Sequence, residues 1–203
     1  MASNIEIVNM ALTMLGAATI SSLTQANARA RAANTIFNAT RDEVLRAGDW
    51  NFALITAPLA VLADDEDDDD AVDGWTYAYA MPTKCLRVVR IFSDSEGLDI
   101  KDPAKWRAMK TPTTKQQAIY TDVVDAQAEY VMRIEDASQF DASFVSAFAA
   151  KLAAKLAMPV TSDKQLAGMM QGAYDQAIID AFQLGHDEGH QQGDAASSYV
   201  DSR

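Results

Sequence analysis

Cysteine is nearly absent from the sequence: Cys85 is the only one, so no disulfide can form within the chain. This excludes a small secreted domain held together by disulfides. Long apolar runs are also missing, since none approaches the roughly 20 residues that cross a bilayer. The first residues lack the basic and apolar stretches of a signal peptide. We therefore expect a protein that folds in a reducing cytoplasm.

Positive charge is scarce as well. Seventeen lysines and arginines stand against 29 acidic residues, which gives a formal net charge of -12 and a pI near 4.4. An acidic surface repels the phosphate backbone of nucleic acids and the anionic surface of a membrane. The charge balance therefore disfavours DNA binding and membrane docking, although DNA can pass close by without being bound.

Catalytic motifs are lacking too. The sequence has no G-x-S-x-G motif and no glycine loop for phosphate, and Cys85 lies in an apolar β-rich run where a structural thiol is the ordinary role. His186 and His190 are four residues apart, but Asp187 replaces the glutamate of a zinc-protease helix, and the sequence offers no third ligand. We predict no enzyme activity, with no catalytic residue, metal or cofactor.

The run of acids from Asp64 to Asp70 is the most conspicuous local feature. An EF-hand calcium loop needs oxygen ligands at alternating positions and at its last position, around a central glycine. With Gly74 as that glycine, Ala71 and Ala80 stand where ligands are required, so the pattern fails. We interpret the run as a solvated loop whose charges repel one another, with cation binding as the alternative.

Helical spacing of apolar residues marks two segments near the start. Ser3 and Glu6 predict a capping box for a first helix that ends near Gly16. A second helix is expected over about 25–47, with Gly48 at its end and charged residues such as Arg41 on its outer faces. The predicted inner residues are Ile5, Val8, Leu12 and Leu15 in the first helix, and Ala33, Phe37, Thr40, Val44 and Ala47 in the second.

Two more helices are expected after Asp136. The first has Asp141 as its N-cap and is predicted to break at Met158-Pro159. Ser162 and Gln165 predict a capping box for the second, which should end near Gly185. The predicted inner residues are Phe144, Phe148, Leu152 and Leu156 in the first of these helices, and Leu166, Met169 or Met170, Ala173, Ala177 and Ala181 in the second.

Between the helices, apolar residues alternate with a period of two, which predicts strands. The candidate strands are 50–54, 75–81, 85–92 and 128–134. Their aromatic residues suggest a stacking platform for bases or sugars, but at strand spacing we interpret them as core or subunit-interface residues. These aromatic residues are Trp50, Trp75, Tyr77, Tyr79 and Trp106.

Together these patterns predict an α+β fold that is mainly α. A discontinuous helical bundle is expected from 1–49 and 136–185, with a small antiparallel β module inserted over 50–135. An extended C-terminal tail is expected over 186–203, where periodicity is weak. The tail contains Tyr199 and Val200, a small apolar pair that we predict to bind a partner, with a dispensable terminus as the alternative.

Four blocks of the sequence resemble the tail tubular protein A family of short-tailed bacteriophages. Residues 4–23 resemble its first helix and turn, and residues 41–54 its most distinctive run. Residues 77–88 and 147–161 resemble later blocks in the same order. The chain departs from the family pattern at Gly48-Asp49, where a His-Pro-like pair is expected, and in its longer acidic run.

The resemblance implies a head-to-tail adaptor in the neck of a podovirus virion, made in the host cytoplasm. It implies a homo-oligomer, a dodecameric ring between the portal protein and a tail nozzle protein of the tail tubular protein B type. DNA would pass through the lumen during ejection without specific binding. Two alternatives stay open: a peptidoglycan hydrolase associated with the adaptor, and a cytoplasmic binding module.

Overall fold

Four helices and two antiparallel sheets make up the described part of the chain, so the predicted α+β class is confirmed. The computed structural model describes residues 2–63, 70–93 and 104–189, and only the backbone of 184–189. The helices are α1 (Asn4–Met14), α2 (Ala28–Ala47), α3 (Ala142–Thr161) and α4 (Lys164–Gly189). The strands are β1 (Leu54–Pro58), β2 (Val61–Ala63), β3 (Tyr77–Ala80), β4 (Cys85–Ser93), β5 (Trp106–Lys110), β6 (Gln117–Thr121) and β7 (Ala126–Met132).

Helix α1 begins as its sequence predicts. The Ser3 backbone N–H donates to Glu6 Oε2 at 2.7 Å, and the Glu6 N–H donates to Ser3 Oγ at 3.3 Å, which confirms the capping box. The chain turns away at Gly16, whose φ of 65° lies in the left-handed region that glycine adopts without strain. Three of the four predicted inner residues, Val8, Leu12 and Leu15, are buried, whereas Ile5 is only half-buried. The buried residues of α1 are Ile7, Val8, Ala11 and Leu12.

The buried face of α2 differs from the prediction at two positions. Ala47 is exposed, because Leu45 is the last buried residue of the helix and the positions after it face solvent. Arg41, expected on an outer face, is buried, because Asp42 beside it supplies a carboxylate at 2.8 Å that balances its charge. The predicted inner residues Ala33, Phe37, Thr40 and Val44 are all buried.

Helix α3 passes through the proline that was predicted to break it. Asp141 caps its start by accepting the Phe144 N–H at 2.6 Å, as predicted. The helix continues through Pro159 to Thr161, because a proline in the last turn removes only one backbone hydrogen bond. It ends at Ser162, which has a left-handed φ of 57°.

The start and end of α4 also correct the sequence prediction. Ser162 closes α3, so it cannot cap α4, and Asp163 Oδ1 accepts the N–H groups of Gln165 and Leu166 instead, at 2.8 and 3.0 Å. The helix extends to Gly189, so the predicted end at Gly185 is wrong. On its inner side Met170 rather than Met169 faces the core, and the pattern missed the buried Tyr174.

The strands form two sheets, with the order β1-β7-β4 in the inner sheet and β2-β3-β6-β5 in the outer sheet. Every pairing is antiparallel. The strand predicted to start at Trp50 begins instead at Leu54, after a short 3-10 turn. Trp50 leaves the strand direction because its ring enters the bundle core, where Nε1 donates to the Val44 carbonyl at 2.9 Å. Strands β2, β5 and β6 were not predicted.

The elements stack in three layers: bundle, inner sheet and outer sheet. Val131 of β7 packs into the bundle core, whereas Tyr130 beside it packs against the outer sheet. This alternation places the inner sheet in the middle, with both of its faces covered. A third small cluster, which includes Ala78 and Tyr120, lies on the far face of the outer sheet.

Candidate interaction surfaces

The junction between α2 and the inner sheet is built by the block 41–54, the most distinctive part of the family resemblance. Asp42 binds two guanidinium groups: Arg41 Nη2 lies 2.8 Å from Oδ1, and Arg133 Nε lies 2.8 Å from Oδ2. Arg133 follows β7, so this carboxylate ties α2 to the end of the inner sheet. A second pair joins Asp49 to Arg87 of β4.

Gly48 lies under the ring of Phe182 from α4. A Cβ atom at Gly48 would be only 1.9 Å from Phe182 Cζ. The backbone of Gly48 is extended, with φ -153° and ψ 177°, so the close approach of the ring requires the glycine and backbone conformation does not. Gly48 therefore allows α4 to pack against the end of α2.

The outer side of α1 carries a shallow, nearly flat and mostly apolar groove along one helix face, lined by Glu6, Asn9, Met10, Thr13 and Met14. Met10 and Met14 are 42% and 39% exposed. Asn9 has a structural role, because its side chain donates to the Ile20 carbonyl and accepts the Ile20 N–H, at 3.0 and 2.9 Å. The flexible methionines form an adaptable apolar surface of the kind that contacts other proteins.

A second exposed surface, the cationic hairpin, consists of residues 104–121, which contain β5, the turn and β6. It carries Lys105, Arg107, Lys110 and Lys115 and has no acidic residue. Lys105, Arg107 and Lys110 are exposed and have no ion-pair partner among the described residues. The Lys115 ammonium donates to the Pro112 carbonyl within the turn. The hairpin was not predicted from the sequence, although the lack of acidic residues over 104–121 indicates a cationic segment.

Asp70 anchors the turn of the cationic hairpin. It is 7% exposed, and its carboxylate accepts the N–H groups of Thr113 and Thr114 at 2.9 and 3.2 Å and the Thr114 hydroxyl at 2.8 Å. Its carbonyl accepts the Tyr120 hydroxyl at 3.0 Å. Burial raises the pKa of Asp70, but these hydrogen bonds lower it more, so the net pKa is below the ordinary value. The interpretation as a solvated loop is wrong for Asp70, and Asp64–Asp69 lie outside the described residues.

The predicted sites for chemistry are only partly within the described residues. Over residues 2–63, 70–93 and 104–189, no three His, Cys, Asp or Glu side chains are grouped to hold a metal ion. Cys85 is half-buried, and burial raises the pKa of its thiol, which favours the unreactive protonated form. His186 lies in α4 with only its backbone described. His190, Tyr199 and Val200 lie outside the described residues.

The aromatic residues that suggested a stacking platform all pack in the interior clusters. Trp50 is in the bundle core, Trp75 is beside the far face of the outer sheet, and the other three are between the sheets. The interpretation as core residues is confirmed for Trp50 and Tyr79, which are 4% and 1% exposed.

Helix α3 is long and apolar enough to cross a membrane by length and composition, but just over half of that segment is buried inside the protein. It contacts α1, α2 and α4 and is the central helix of the bundle.

A scan against models of known protein families found none that matches this chain, and a search of curated proteins found no match.

Proposed function

We propose that this chain is a subunit of the head-to-tail adaptor ring of a short-tailed bacteriophage, placed between the portal and the tail nozzle in the virion. The sequence resemblance to the tail tubular protein A family is the starting point. The observation that carries the proposal is that the two outer layers expose surfaces of different chemistry. The bundle exposes the apolar groove with Met10 and Met14, and the outer sheet exposes the cationic hairpin.

An adaptor needs two such surfaces, because it must bind different partners on its two faces. The layers that carry them are joined through the inner sheet, because Asp42 of α2 pairs with Arg133 after β7, and Tyr130 of β7 packs against the outer sheet. A subunit with such a junction can transmit force between a portal and a nozzle. The proposed function is mechanical. The formal charge of -12 disfavours binding of the DNA that passes through the lumen.

Electron microscopy of the purified chain mixed with its portal tests the proposal directly. We expect a closed dodecameric ring of this chain on the portal vertex. Single copies scattered on the portal, or no binding at all, would show that the proposal is wrong.

A pair of matched variants sharpens this experiment. Met10→Ser with Met14→Ser should weaken binding to one of the two partners, because it removes the apolar part of the groove on α1. Val124→Ser is the control, since Val124 is 54% exposed but lies in the loop before β7. Equal loss of binding in both variants would show that the groove on α1 is not a specific partner-binding surface.

The proposal includes no enzyme activity, and no observation on the described residues favours the peptidoglycan hydrolase. Purified protein is expected to leave the turbidity of a peptidoglycan suspension unchanged. Reproducible clearing that is lost on substitution of a single Asp or Glu would replace the adaptor proposal with the hydrolase.

Tyr199 and Val200 stay a predicted partner anchor, and deletion of residues 190–203 should weaken portal binding while leaving helix content intact.

A further inference from the structure

We infer that the cationic hairpin of one copy binds the acidic outer face of α4 on a neighbouring copy, in a head-to-tail contact. This inference rests on the proposed function, because it names the surfaces through which adaptor copies would meet in the ring.

The cationic hairpin is a local reversal of charge on a strongly acidic chain. Elsewhere, cations such as Arg41, Arg87 and Arg133 each lie against a carboxylate. Lys105, Arg107 and Lys110 are exposed with no described carboxylate within ion-pair distance. Two copies that both carry a charge of -12 repel each other over most of their surfaces. Arg31, Arg46 and Lys164 are also exposed and have no ion pair among the described residues, but they stand singly along the chain, whereas the hairpin groups its cations without an acid. Among the described surfaces, the hairpin is therefore the one on which approach of a second copy is electrostatically most favourable.

The position of β5 rules out a symmetric contact between two hairpins. Strand β5 is the outermost strand of the outer sheet, next to β6. Pairing of two β5 edges would place like charges opposite one another, which destabilises a sheet and keeps edge strands apart. The contact must then join two different surfaces. Contacts of that kind close into rings when the rotation between copies is suitable.

The outer face of α4 has the complementary chemistry. From Gln165 to Gly189 the helix contains no lysine or arginine. Asp175 and Asp180 are exposed, and the partners of their carboxylates are neutral amides, those of Gln171 and Gln176, at 2.8 and 2.7 Å. Their charge is therefore free to attract cations from another molecule.

Exposed apolar side chains accompany these acids. Ile179, between Asp175 and Asp180 in sequence, is 50% exposed, and Met169 on the preceding turns is 61% exposed. Removal of this apolar surface from water would add to the electrostatic attraction. Asp175 and Asp180 are five positions apart and lie about 140° from each other around the helix. The acids, amides and apolar groups therefore share the exposed half of α4, which is suited to a cationic protein surface.

Nucleic acid is the competing occupant of the hairpin, because phosphates also bind lysine and arginine. The net charge of -12 opposes the approach of both DNA and a second copy, but α4 of a second copy offers the exposed Ile179 and Met169 beside its acids, an apolar contact that a phosphate backbone lacks. The structure therefore favours a second copy as the occupant.

A charge-swap experiment on the full chain tests the inference. One variant reverses the hairpin (Lys105→Glu, Arg107→Glu, Lys110→Glu), and the other reverses the helix face (Asp175→Lys, Asp180→Lys). All five side chains are exposed, so both variants should keep the wild-type melting temperature. Sedimentation at low salt and high protein concentration should show self-association of the wild type. Each variant alone should associate about tenfold more weakly or worse.

Mixing the two variants is the decisive step. In an equimolar mixture the acidic hairpin of the first variant meets the basic helix of the second, and the unchanged surfaces also match. Association should then return to the wild-type level. The control variant Arg31→Glu, Arg46→Glu, Lys84→Glu makes the same change in net charge at exposed sites outside the hairpin and α4, and should weaken association less than the hairpin variant.

Several results would overturn the inference. These are a wild type that stays monomeric at its highest soluble concentration, variants that associate like the wild type, or a mixture that does not recover. Fluorescence anisotropy with duplex DNA adds another: if hairpin reversal abolishes DNA binding and leaves self-association unchanged, nucleic acid is the occupant. A ring on the portal whose neighbours meet through other surfaces would sink this inference and leave the proposed function intact.

Discussion

The bundle and the outer sheet bury their interiors by opposite means. The bundle core is filled by large rings: Trp50 and Phe144 meet edge to face with centroids 5.0 Å apart, and Phe37 lies 5.1 Å from Phe148. The far face of the outer sheet is lined mostly by alanines, with one buried tyrosine, Tyr120. Packing volume therefore dominates in the bundle, whereas the outer sheet depends more on hydrogen bonds.

Polar groups in the outer sheet show this dependence. The Tyr79 hydroxyl donates to the Val123 carbonyl at 2.8 Å, and the Tyr120 hydroxyl donates to the Asp70 carbonyl at 3.0 Å. A buried hydroxyl or carboxylate that loses its partner is costly, so each of these bonds matters more than its small net energy suggests. The two regions should therefore fail under different perturbations.

The largest effect is expected from Phe144→Ala. Phe144 is fully buried and contacts Trp50, Phe52, Phe140 and Phe148, so removal of its ring should lower the free energy of unfolding by about 3–5 kcal/mol. The comparison in the outer sheet is Ile119→Val, which should cost about 0.5–1.5 kcal/mol. Urea denaturation measures both. Similar losses for the two variants would show that the contrast between the regions is not one of packing volume.

A smaller effect is expected where α4 packs against the end of α2. Gly48→Ala should lower the free energy of unfolding by about 1–3 kcal/mol, because the ring of Phe182 must move away from the new methyl group. In the Phe182→Ala background the same substitution should cost much less, since the space is then open. A double-mutant cycle by chemical denaturation checks this, and additive losses would contradict the proposed contact.

The outer sheet should be the acid-sensitive region. The folded pKa of Asp70 lies below its ordinary value of 3.8, because hydrogen bonds from Thr113 and Thr114 outweigh the effect of burial. The resulting stability is complete above about pH 4 and is lost as the pH falls through the lower folded pKa. The protection of the Ile119 and Tyr120 backbone amides against hydrogen exchange, relative to the intrinsic rate, should therefore fall in acid before that of amides in the bundle does.

Asp70→Asn tests whether that carboxylate is the cause. The variant should weaken the outer sheet at neutral pH and flatten the acid dependence of its exchange. Asp136→Asn is the matched control, because the pKa of Asp136 is also lowered, by hydrogen bonds from Ser138, but Asp136 lies outside the sheets. An equal change in exchange at Ile119 in both variants would rule out the specific role of Asp70.

The smallest effect, and one of opposite sign, is expected at Thr40. This residue is fully buried in α2, and its hydroxyl oxygen has no hydrogen-bond partner in the described structure. Thr40→Val keeps the shape and removes the unpaired hydroxyl, so it should raise the free energy of unfolding by up to about 1 kcal/mol. Thr40→Ala should lower it, because it leaves a cavity. A destabilised Thr40→Val variant would show that the hydroxyl has a partner in solution.

The same contrast explains how much could be predicted from the sequence. Helices repeat their apolar residues over many turns, so the order and approximate extent of α1 to α4 were predictable, as were the caps at Ser3 and Asp141. The prediction was wrong at positions where one neighbouring side chain altered the usual burial or capping preference of a residue. Asp42 made it possible to bury Arg41, and Asp163 took the capping role expected of Ser162.

The outer sheet was harder to predict because both of its faces are covered. Ile119 and Tyr120 of β6 are neighbours and both are buried, so the alternation that marks a half-exposed strand is weak there. Strands β5 and β6 escaped notice for a second reason: their interior residues are small or are mixed with cations. The candidate surfaces were only partly predictable: the sequence shows the lack of acids over 104–121, but the exposure of Met10, Met14 and the hairpin cations depends on which faces the tertiary fold leaves uncovered.

The bundle is assembled from the two ends of the described chain, with both sheets encoded between them. Helix α3, which covers the apolar faces of α1 and α2, begins at residue 142. During translation, at roughly 5–20 residues per second, α1 and α2 therefore wait several seconds with those faces uncovered while the strands emerge. Nascent chains stalled before α3 should consequently be cut by protease within α1 and α2 and should recruit chaperones. Release of the C-terminal helices from the ribosome, rather than folding of the sheets, then sets the moment at which the bundle core can close.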